Sequence, residues 1–320
     1  MPQPPMRIVV LMDPVSTVQV DADTSFALML EAQARGHRVD HALITDLYLD
    51  GWRLGARVRE AVMRNDAAAP IVLGPPEDAW LDEVDVVLVR KDPPFDSDYL
   101  WGCHLLEHLR GKTLVVNDPR ALRDANEKLY ATHFPAVMPA TLVSNDKKRI
   151  KRFLERASGR AVLKPLSGAG GESVFLLQEG DLNTNAIIET VTQNGRRVAM
   201  TQEFIPEVTQ GDKRILLLDG EPLGAILRVP ARGDVRSNIH VGGTVEKIAL
   251  DERDHEIVAL VGPRCRADGL WFVGLDVIGG KLTEVNVTSP TGIQQMSRLD
   301  GVNYSATVLE WLERRAPNAA

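Results

Sequence analysis

Three oxygen-bearing side chains stand at strand spacing near the end of the chain: Asp276, Glu284 and Asn286, within the stretch GLDVIGGKLTEVNVTSPT at 274–291. The apolar runs 275–278 and 282–287 flank Gly279-Gly280 and read as the limbs of a β-hairpin. Glu284 and Asn286 are two residues apart and share a face, with Val285 and Val287 on the other. Two carboxylates and an amide oxygen, with no His or Cys beside them, suit a hard cation such as Mg²⁺. The reading carries a geometric condition. A two-residue turn pairs Ile278 with Lys281 and turns Asp276 away from Glu284. Only a three-residue connection over 279–281, or a bulge, brings both carboxylates to one side. Otherwise the stretch is a surface hairpin with solvated acids.

Cations form the second group. Lys164 ends a strand at 160–164 and precedes a glycine-rich loop at 167–172 that contains Gly168, Gly170 and Gly171. Ser173 stands where a dinucleotide fingerprint needs its third glycine, and the loop joins two strands rather than opening a helix. No Gly-Lys-Ser/Thr follows, so it is not a Walker A loop. Such a loop can still wrap phosphates with its N–H groups, with Lys164 in reach of them. A plain strand-to-strand hairpin is an equal alternative. Arg214 and Arg228 interrupt apolar strands at 214–218 and 223–229. The long polar segment 230–243, with Arg232, Arg236, Asn238, His240 and Gly243, is functional or disordered by its length.

These groups need a scaffold. Strands at 8–12, 39–43, 84–89 and 113–116 alternate with helices at 25–34 and 99–109, which predicts a small, mostly parallel α/β unit. A hairpin near Asp50-Gly51 and a short strand at 71–73 fit the less readable 47–75 region. Ligands of such sheets sit beyond the carboxyl ends of strands. Asp13, Arg90 and Asp92 fall there, although turn-starting or helix-capping is an equal role. A boundary is expected near residues 117–119. Beyond it come a helix over 120–130, a strand at 141–143, an Asp146-capped helix to Ala157, strands at 173–177 and 200–205, and helices at 252–267 and 304–314.

At 320 residues, with 44% hydrophobic and 25% charged residues, the chain has the composition of a soluble globular protein of two or three packed units. A net charge of −7 argues against general nucleic-acid binding. The start MPQPPMR has no apolar core of a secretion signal, and no apolar run is long enough to span a bilayer, so a cytoplasmic protein without membrane contact is expected. Cys103 and Cys265 lie far apart and read as packing residues of a reduced protein.

The chain resembles the ATP-grasp ligases and, within them, the bacterial glutathione synthetases. The residues that carry the resemblance are MDP at 12–14, RKDPPF at 90–95, NEKL at 126–129, KP at 164–165, GDKR at 211–214, GLD at 274–276 and TEVNVTSPT at 283–291. The resemblance implies a fold of α/β and α+β character. It has an N-terminal pre-ATP-grasp, Rossmann-like domain over 1–123, a central lid domain over 124–204 and a C-terminal catalytic domain over 205–320. It also implies roles. Lys128, Lys164 and the loop glycines Gly168, Gly170 and Gly171 hold ATP phosphates. Gln202, Glu203, Phe204 and Ile205 hold adenine, and Asp212 lies near the ribose. Asp276, Glu284 and Asn286 hold two Mg²⁺, for which Mn²⁺ can substitute. Arg214 and Arg228 face the reacting carboxylate and the γ-phosphate. Asp13, Arg90, Asp92, Arg236, Asn238, Gly243, Ser289 and Pro290 belong to the substrate side.

The implied reaction joins γ-glutamylcysteine to glycine with ATP, through an acyl phosphate. The expected partners are those small molecules and further copies of the chain, a tetramer being the family's frequent form. Two other readings stay open. A related carboxylate–amine ligase of the D-alanine–D-alanine type would share the ATP half but not the RKDPPF segment. A non-catalytic nucleotide-binding module would not need the full set of Asp276, Glu284, Asn286, Arg214 and Arg228.

Overall fold

The first strand, β1 (Arg7–Met12), is an apolar run whose last five residues are buried. It lies between parallel neighbours β2 (Arg38–Ala42) and β6 (Val86–Arg90), and β6 pairs in parallel with β7 (Leu114–Val116). Helix α1 (Thr24–Ala34) is capped by Asp23, which accepts from Phe26 N, and α2 (Ser97–Leu106) by Asp96, which accepts from Tyr99 N. The computed structural model describes residues 4–64, 66, 68–167, 173–230 and 243–317. The expectations for Gly168, Gly170, Gly171, Arg232, Arg236, Asn238 and His240 lie outside those residues.

The expectation of a mostly parallel sheet holds only for the side formed by β2, β1, β6 and β7. Strands β3 (Leu47–Asp50), β4 (Arg53–Met63) and β5 (Ile71–Trp80) add an antiparallel side, in which β4 pairs with β2, β3 and β5. β5 is far longer than the run at 71–73 suggested. It contains Pro75 and Pro76, which an edge strand tolerates because one side of its ladder needs no donors.

The helix expected over 120–130 is two helices, α3 (Pro119–Asp124) and α4 (Glu127–Ala131). Asn126 breaks the run because its carboxamide accepts from Lys128 N and Leu129 N and so starts a new helix. A four-stranded sheet follows, in the order β10 (Phe175–Gln178), β9 (Arg160–Pro165), β11 (Ala199–Glu203), β8 (Thr141–Ser144). Helices α5 (Lys147–Arg156) and α6 (Thr184–Val191) cover it. Its core, with Ile150, Phe153, Leu163, Leu177 and Ile188, is separate from the rest.

The last sheet runs in the order β14 (Thr244–Lys247), β13 (Glu221–Val229), β12 (Asp212–Leu218), β15 (Phe272–Ile278), β16 (Lys281–Asn286). Helix α7 (Glu252–Asp268) packs on one face of it. Helices α8 (Ile293–Asp300) and α9 (Tyr304–Arg315) join its other face to the N-terminal sheet. Asn117, just past β7, ties the two sheets directly. Its carboxamide donates to Phe272 O and Val287 O and accepts from Phe272 N, all within 2.9 Å. Helix α6, helix α8 and strand β14 carry no signal that the sequence reading used.

Candidate active site

The hairpin meets its geometric condition through a bulge. Gly279 and Gly280 form a two-residue turn with φ of 55° and 69°, the left-handed pair that a tight hairpin turn needs. Ile278 pairs with Lys281 and Val277 with Leu282. The ladder then skips Thr283, so that Asp276 faces Glu284 and Leu275 faces Val285. The Thr283 hydroxyl donates to Asp276 O at 3.1 Å and secures the skip.

Neighbouring strands extend this charged face. Arg214 on β12 pairs with Asp276, and Asp212 pairs with Arg228 on β13. Alternate residues of the same strands, Ile215, Leu217, Leu275, Val277, Leu282 and Val285, lie in the main core. Burial of that face fixes the register of the polar one.

Asp276 is the electrostatic centre. Arg214 Nε lies 2.6 Å from its Oδ1 and Nη2 lies 3.2 Å from its Oδ2, while Arg228 Nη2 reaches Oδ1 at 2.9 Å. Burial pushes this carboxyl up, but the two guanidiniums outweigh burial and hold it well below the usual carboxylate range. Arg228 also pairs with Asp212. Burial would lower Arg228, yet Asp212 and Asp276 together raise it above its ordinary value. Gly274 makes room for Arg214, since a Cβ there would come 3.0 Å from Arg214 Cδ.

Two lysines face this set from other elements. Lys128, the second residue of α4, lies 3.0 Å from Glu284 Oε1. Lys164, near the end of β9, donates to Thr283 O at 3.2 Å. Lys164 is buried, and burial lowers its pKa, with Lys128 pushing the same way and Glu284, Asp276 and Asp212 opposing.

Asp276, Glu284 and Asn286 thus provide two carboxylates and one amide on one stretch of sheet. Asn286 Nδ2 donates to Gly274 O at 3.3 Å. Among the described residues, no three His, Cys, Asp or Glu side chains are grouped closely enough to hold a metal by themselves. The all-oxygen donor set fits a hard cation.

The residues expected to hold adenine line the seam between β11 and the hairpin. Gln202 is buried and donates to Thr141 Oγ1 at 3.2 Å. Glu203 lies 3.4 Å from Lys281 Nζ. Arg160 covers the Phe204 ring at 4.0 Å, and Ile205 packs beside Gly279.

Of the residues expected on the substrate side, Asp13, Arg90, Asp92, Ser289 and Pro290 meet at the turn after β16. Ser289 Oγ donates to Asp92, and Asp13 accepts from Asp92 N and pairs with Lys91, both at 2.9 Å. Arg90 is turned inward. Its Nε donates to Ser25 Oγ at 3.1 Å and its Nη2 to Pro290 O at 2.9 Å, with Phe272 beneath the guanidinium. Gly243 directly precedes β14, whose first residue Thr244 pairs with Val229 of β13.

Comparison with known proteins places the chain in a family. Residues 6–123 match the model of the prokaryotic glutathione synthetase N-terminal domain, and residues 127–301 match that of its ATP-grasp domain. The chain belongs to the prokaryotic glutathione synthetase family. A glutathione synthetase of Brucella melitensis is 44% identical over 97% of this chain and 99% of its own length. One of Gloeobacter violaceus is 47% identical over 96% of each chain. The fold is that of ATP-grasp ligases. A D-cycloserine synthetase crystal structure matches with a TM-score of 0.65 over 95% of this chain and 99% of its own, at 16% identity. A RimK-domain ATP-grasp protein of Sphaerobacter thermophilus matches at 0.61 over 95% and 98%, at 20% identity.

Glu127 and Asn117 are the site residues that sequence reasoning assigned no role. Glu127 reads as an ordinary acid inside the helix expected over 120–130, and Asn117 as a polar residue at the boundary expected near 117–119. The partners of both lie some 155 to 170 residues away along the chain, out of reach of any local pattern.

Proposed function

We propose that this chain joins the cysteinyl carboxylate of γ-glutamylcysteine to the amine of glycine, converting ATP to ADP and phosphate through an acyl-phosphate intermediate. It is an ATP-dependent ligase by family. The observation that carries the site assignment is the shared face of Asp212, Arg214, Arg228, Asp276 and Glu284, with Lys128 and Lys164 directed at it.

The chemistry explains the residue types. A carboxylate is a poor phosphoryl acceptor beside a polyanionic nucleotide, because like charges must approach. Lys128 and Lys164 bind the phosphates. Arg214 and Arg228, released from part of their hold on Asp276, face the carboxylate and the γ-phosphate. Asp276, Glu284 and Asn286 would hold Mg²⁺, with Mn²⁺ able to replace it. Bound there, the ions neutralise phosphate charge. The carboxylate oxygen takes the γ-phosphoryl group. Glycine's amine then attacks the acyl carbon, and phosphate leaves with the oxygen that carried it. An arginine stabilises the tetrahedral oxyanion between these steps. No enzyme nucleophile is needed. Burial pushes the thiols of Cys103 and Cys265 up to about 12, which fits packing residues.

Gln202, Glu203, Phe204 and Ile205 hold adenine in this reading, with Asp212 toward the ribose. Asp13, Asp92, Ser289 and Pro290 form the peptide end, with Arg90 behind them. Gly243 and the segment before it, which includes Arg236 and Asn238, complete the cover. Gly168, Gly170 and Gly171 contribute backbone N–H groups to the phosphates. The three-part division at 123 and 204, a homo-oligomeric state and a cytoplasmic location complete the proposal. Among the described residues no helix is long and apolar enough to cross a membrane.

Phosphate release with ATP, Mg²⁺, γ-glutamylcysteine and glycine, each omitted in turn, tests the reading. Release that requires every component, with one glutathione formed per phosphate, is the expected result. Release with D-alanine alone would identify a different ATP-grasp ligase. No release under any condition would leave a nucleotide-binding module.

A further inference from the structure

Directly after Asn286 the chain makes a turn in which every residue from Val287 to Thr291 is held by a charged side chain. Glu127 Oε1 accepts from Val287 N at 3.1 Å, Thr288 N at 3.3 Å and Thr288 Oγ1 at 2.9 Å. Asp92 accepts from Ser289 Oγ, Arg90 donates to Pro290 O at 2.9 Å, and Arg214 Nη1 donates to Thr291 O at 3.3 Å. Three of these four holds come from the N-terminal sheet and α4, and the fourth comes from the charged face itself.

Glu127 occupies the central position among them. It neighbours Lys128 on α4, and Lys128 pairs with Glu284 at 3.0 Å. Two consecutive residues of one helix therefore grip the chain on both sides of Asn286. The elements α4 and β16 pack closely, and Asn126 fixes the start of α4 while its Nδ2 also donates to Leu166 O, just past Lys164, at 3.0 Å. One short helix thus joins both lysines, the end of β16 and the turn that carries Ser289 into a single unit. One oxygen accepting three donors is a strong anchor, because leaving buried donors unmade is expensive.

We propose that Glu127 is a positioning residue that keeps the nucleotide end and the peptide end of the site in register by anchoring the 287–288 backbone. It acts through its acceptor oxygen and touches neither substrate nor nucleotide. The inference rests on the ligase reading above. Its consequence is specific. When the anchor is lost, ATP still binds and phosphoryl transfer still occurs, but the peptide end no longer presents the acyl group to glycine. The acyl phosphate then reacts with water, and phosphate forms without glutathione.

The experiment compares wild type, Glu127→Gln, Glu127→Ala and Thr288→Val with ATP, Mg²⁺, γ-glutamylcysteine and glycine, measuring glutathione and phosphate separately. Glu127→Gln keeps an acceptor oxygen and is expected to stay within about threefold of wild type in kcat, with a phosphate-to-glutathione ratio near one. Glu127→Ala is expected to lose roughly thirtyfold to a hundredfold in glutathione formation, with KM for ATP within about twofold and the ratio clearly above one. A role in stability alone lowers the amount of active protein and leaves that ratio unchanged. Thr288→Val removes one of the three donors and is expected to raise the ratio by a smaller factor, which keeps the test informative if Glu127→Ala does not fold. Glu127→Gln as damaging as Glu127→Ala would show that the charge, not the acceptor, matters and would overturn the proposal. So would a ratio of one in both Glu127→Ala and Thr288→Val. Wild-type protein that forms no glutathione would instead overturn the ligase reading and this inference with it.

Discussion

Lys164 Nζ lies 3.2 Å from the carbonyl oxygen of Thr283, the residue that the β15–β16 ladder skips. The same bulge that brings Glu284 opposite Asp276 therefore offers a backbone acceptor to the lysine of the central sheet. The lysine's other surroundings favour it less, and burial lowers its pKa.

A group whose folded pKa is lowered destabilises the protein below that pKa, where it must be carried charged into the fold, and the penalty fades as pH rises through it. Lys164→Met is therefore expected to stabilise the nucleotide-free protein at neutral pH by about 1 kcal/mol, a Tm gain of roughly 1–2 °C. Nucleotide affinity is expected to fall at least tenfold, the usual worth of a bond to a charged group. Thermal melts and nucleotide titration check both. A variant with lowered Tm and wild-type affinity would make the lysine structural.

Asp276 is the shared counterion of Arg214 and Arg228. Asp276→Asn leaves two buried guanidiniums without it and is expected to cost about 3–5 kcal/mol of stability at pH 7. Because the folded pKa of Asp276 is depressed, its contribution is complete above the unfolded aspartate value of about 3.9 and is lost as pH falls from there through the folded value. The stability gap between wild type and Asp276→Asn should therefore begin to narrow below about pH 4 and keep narrowing as pH falls further. A gap that stays constant from pH 7 to pH 3 would contradict the ion-pair geometry.

Arg90 shows where sequence reading stops. Its position past β6, within RKDPPF, marks it for the substrate side, yet its guanidinium faces Ser25 and Pro290 and is buried. Local pattern gives a residue's place on a strand but not which distant backbone it meets. The carboxylate pair was legible for the opposite reason. Period-two alternation and the Gly-Gly turn reduced the problem to one alternative, a bulge or no bulge, and the skipped Thr283 decided it. Asn126 looked like helix interior because nothing in its neighbourhood marks the change of axis that its capping bonds create. Glu127 was hidden because its three donors come from the other end of the chain.

Arg90→Met should accordingly loosen the Pro290 turn without touching the nucleotide. KM for γ-glutamylcysteine is expected to rise about tenfold, with nucleotide affinity within about twofold of wild type. Steady-state kinetics together with nucleotide titration check this. Equal losses in both would show that Arg90 supports the whole fold rather than the peptide end.

The most direct measurement follows one oxygen atom. γ-Glutamylcysteine labelled with ¹⁸O in its cysteinyl carboxylate is turned over with ATP, Mg²⁺ and glycine, and the phosphate is analysed by mass. Transfer of the γ-phosphoryl group to that carboxylate, at the face formed by Arg214, Arg228, Asp276 and Glu284, carries one labelled oxygen into phosphate at each turnover. Glutathione formed alongside unlabelled phosphate would contradict it.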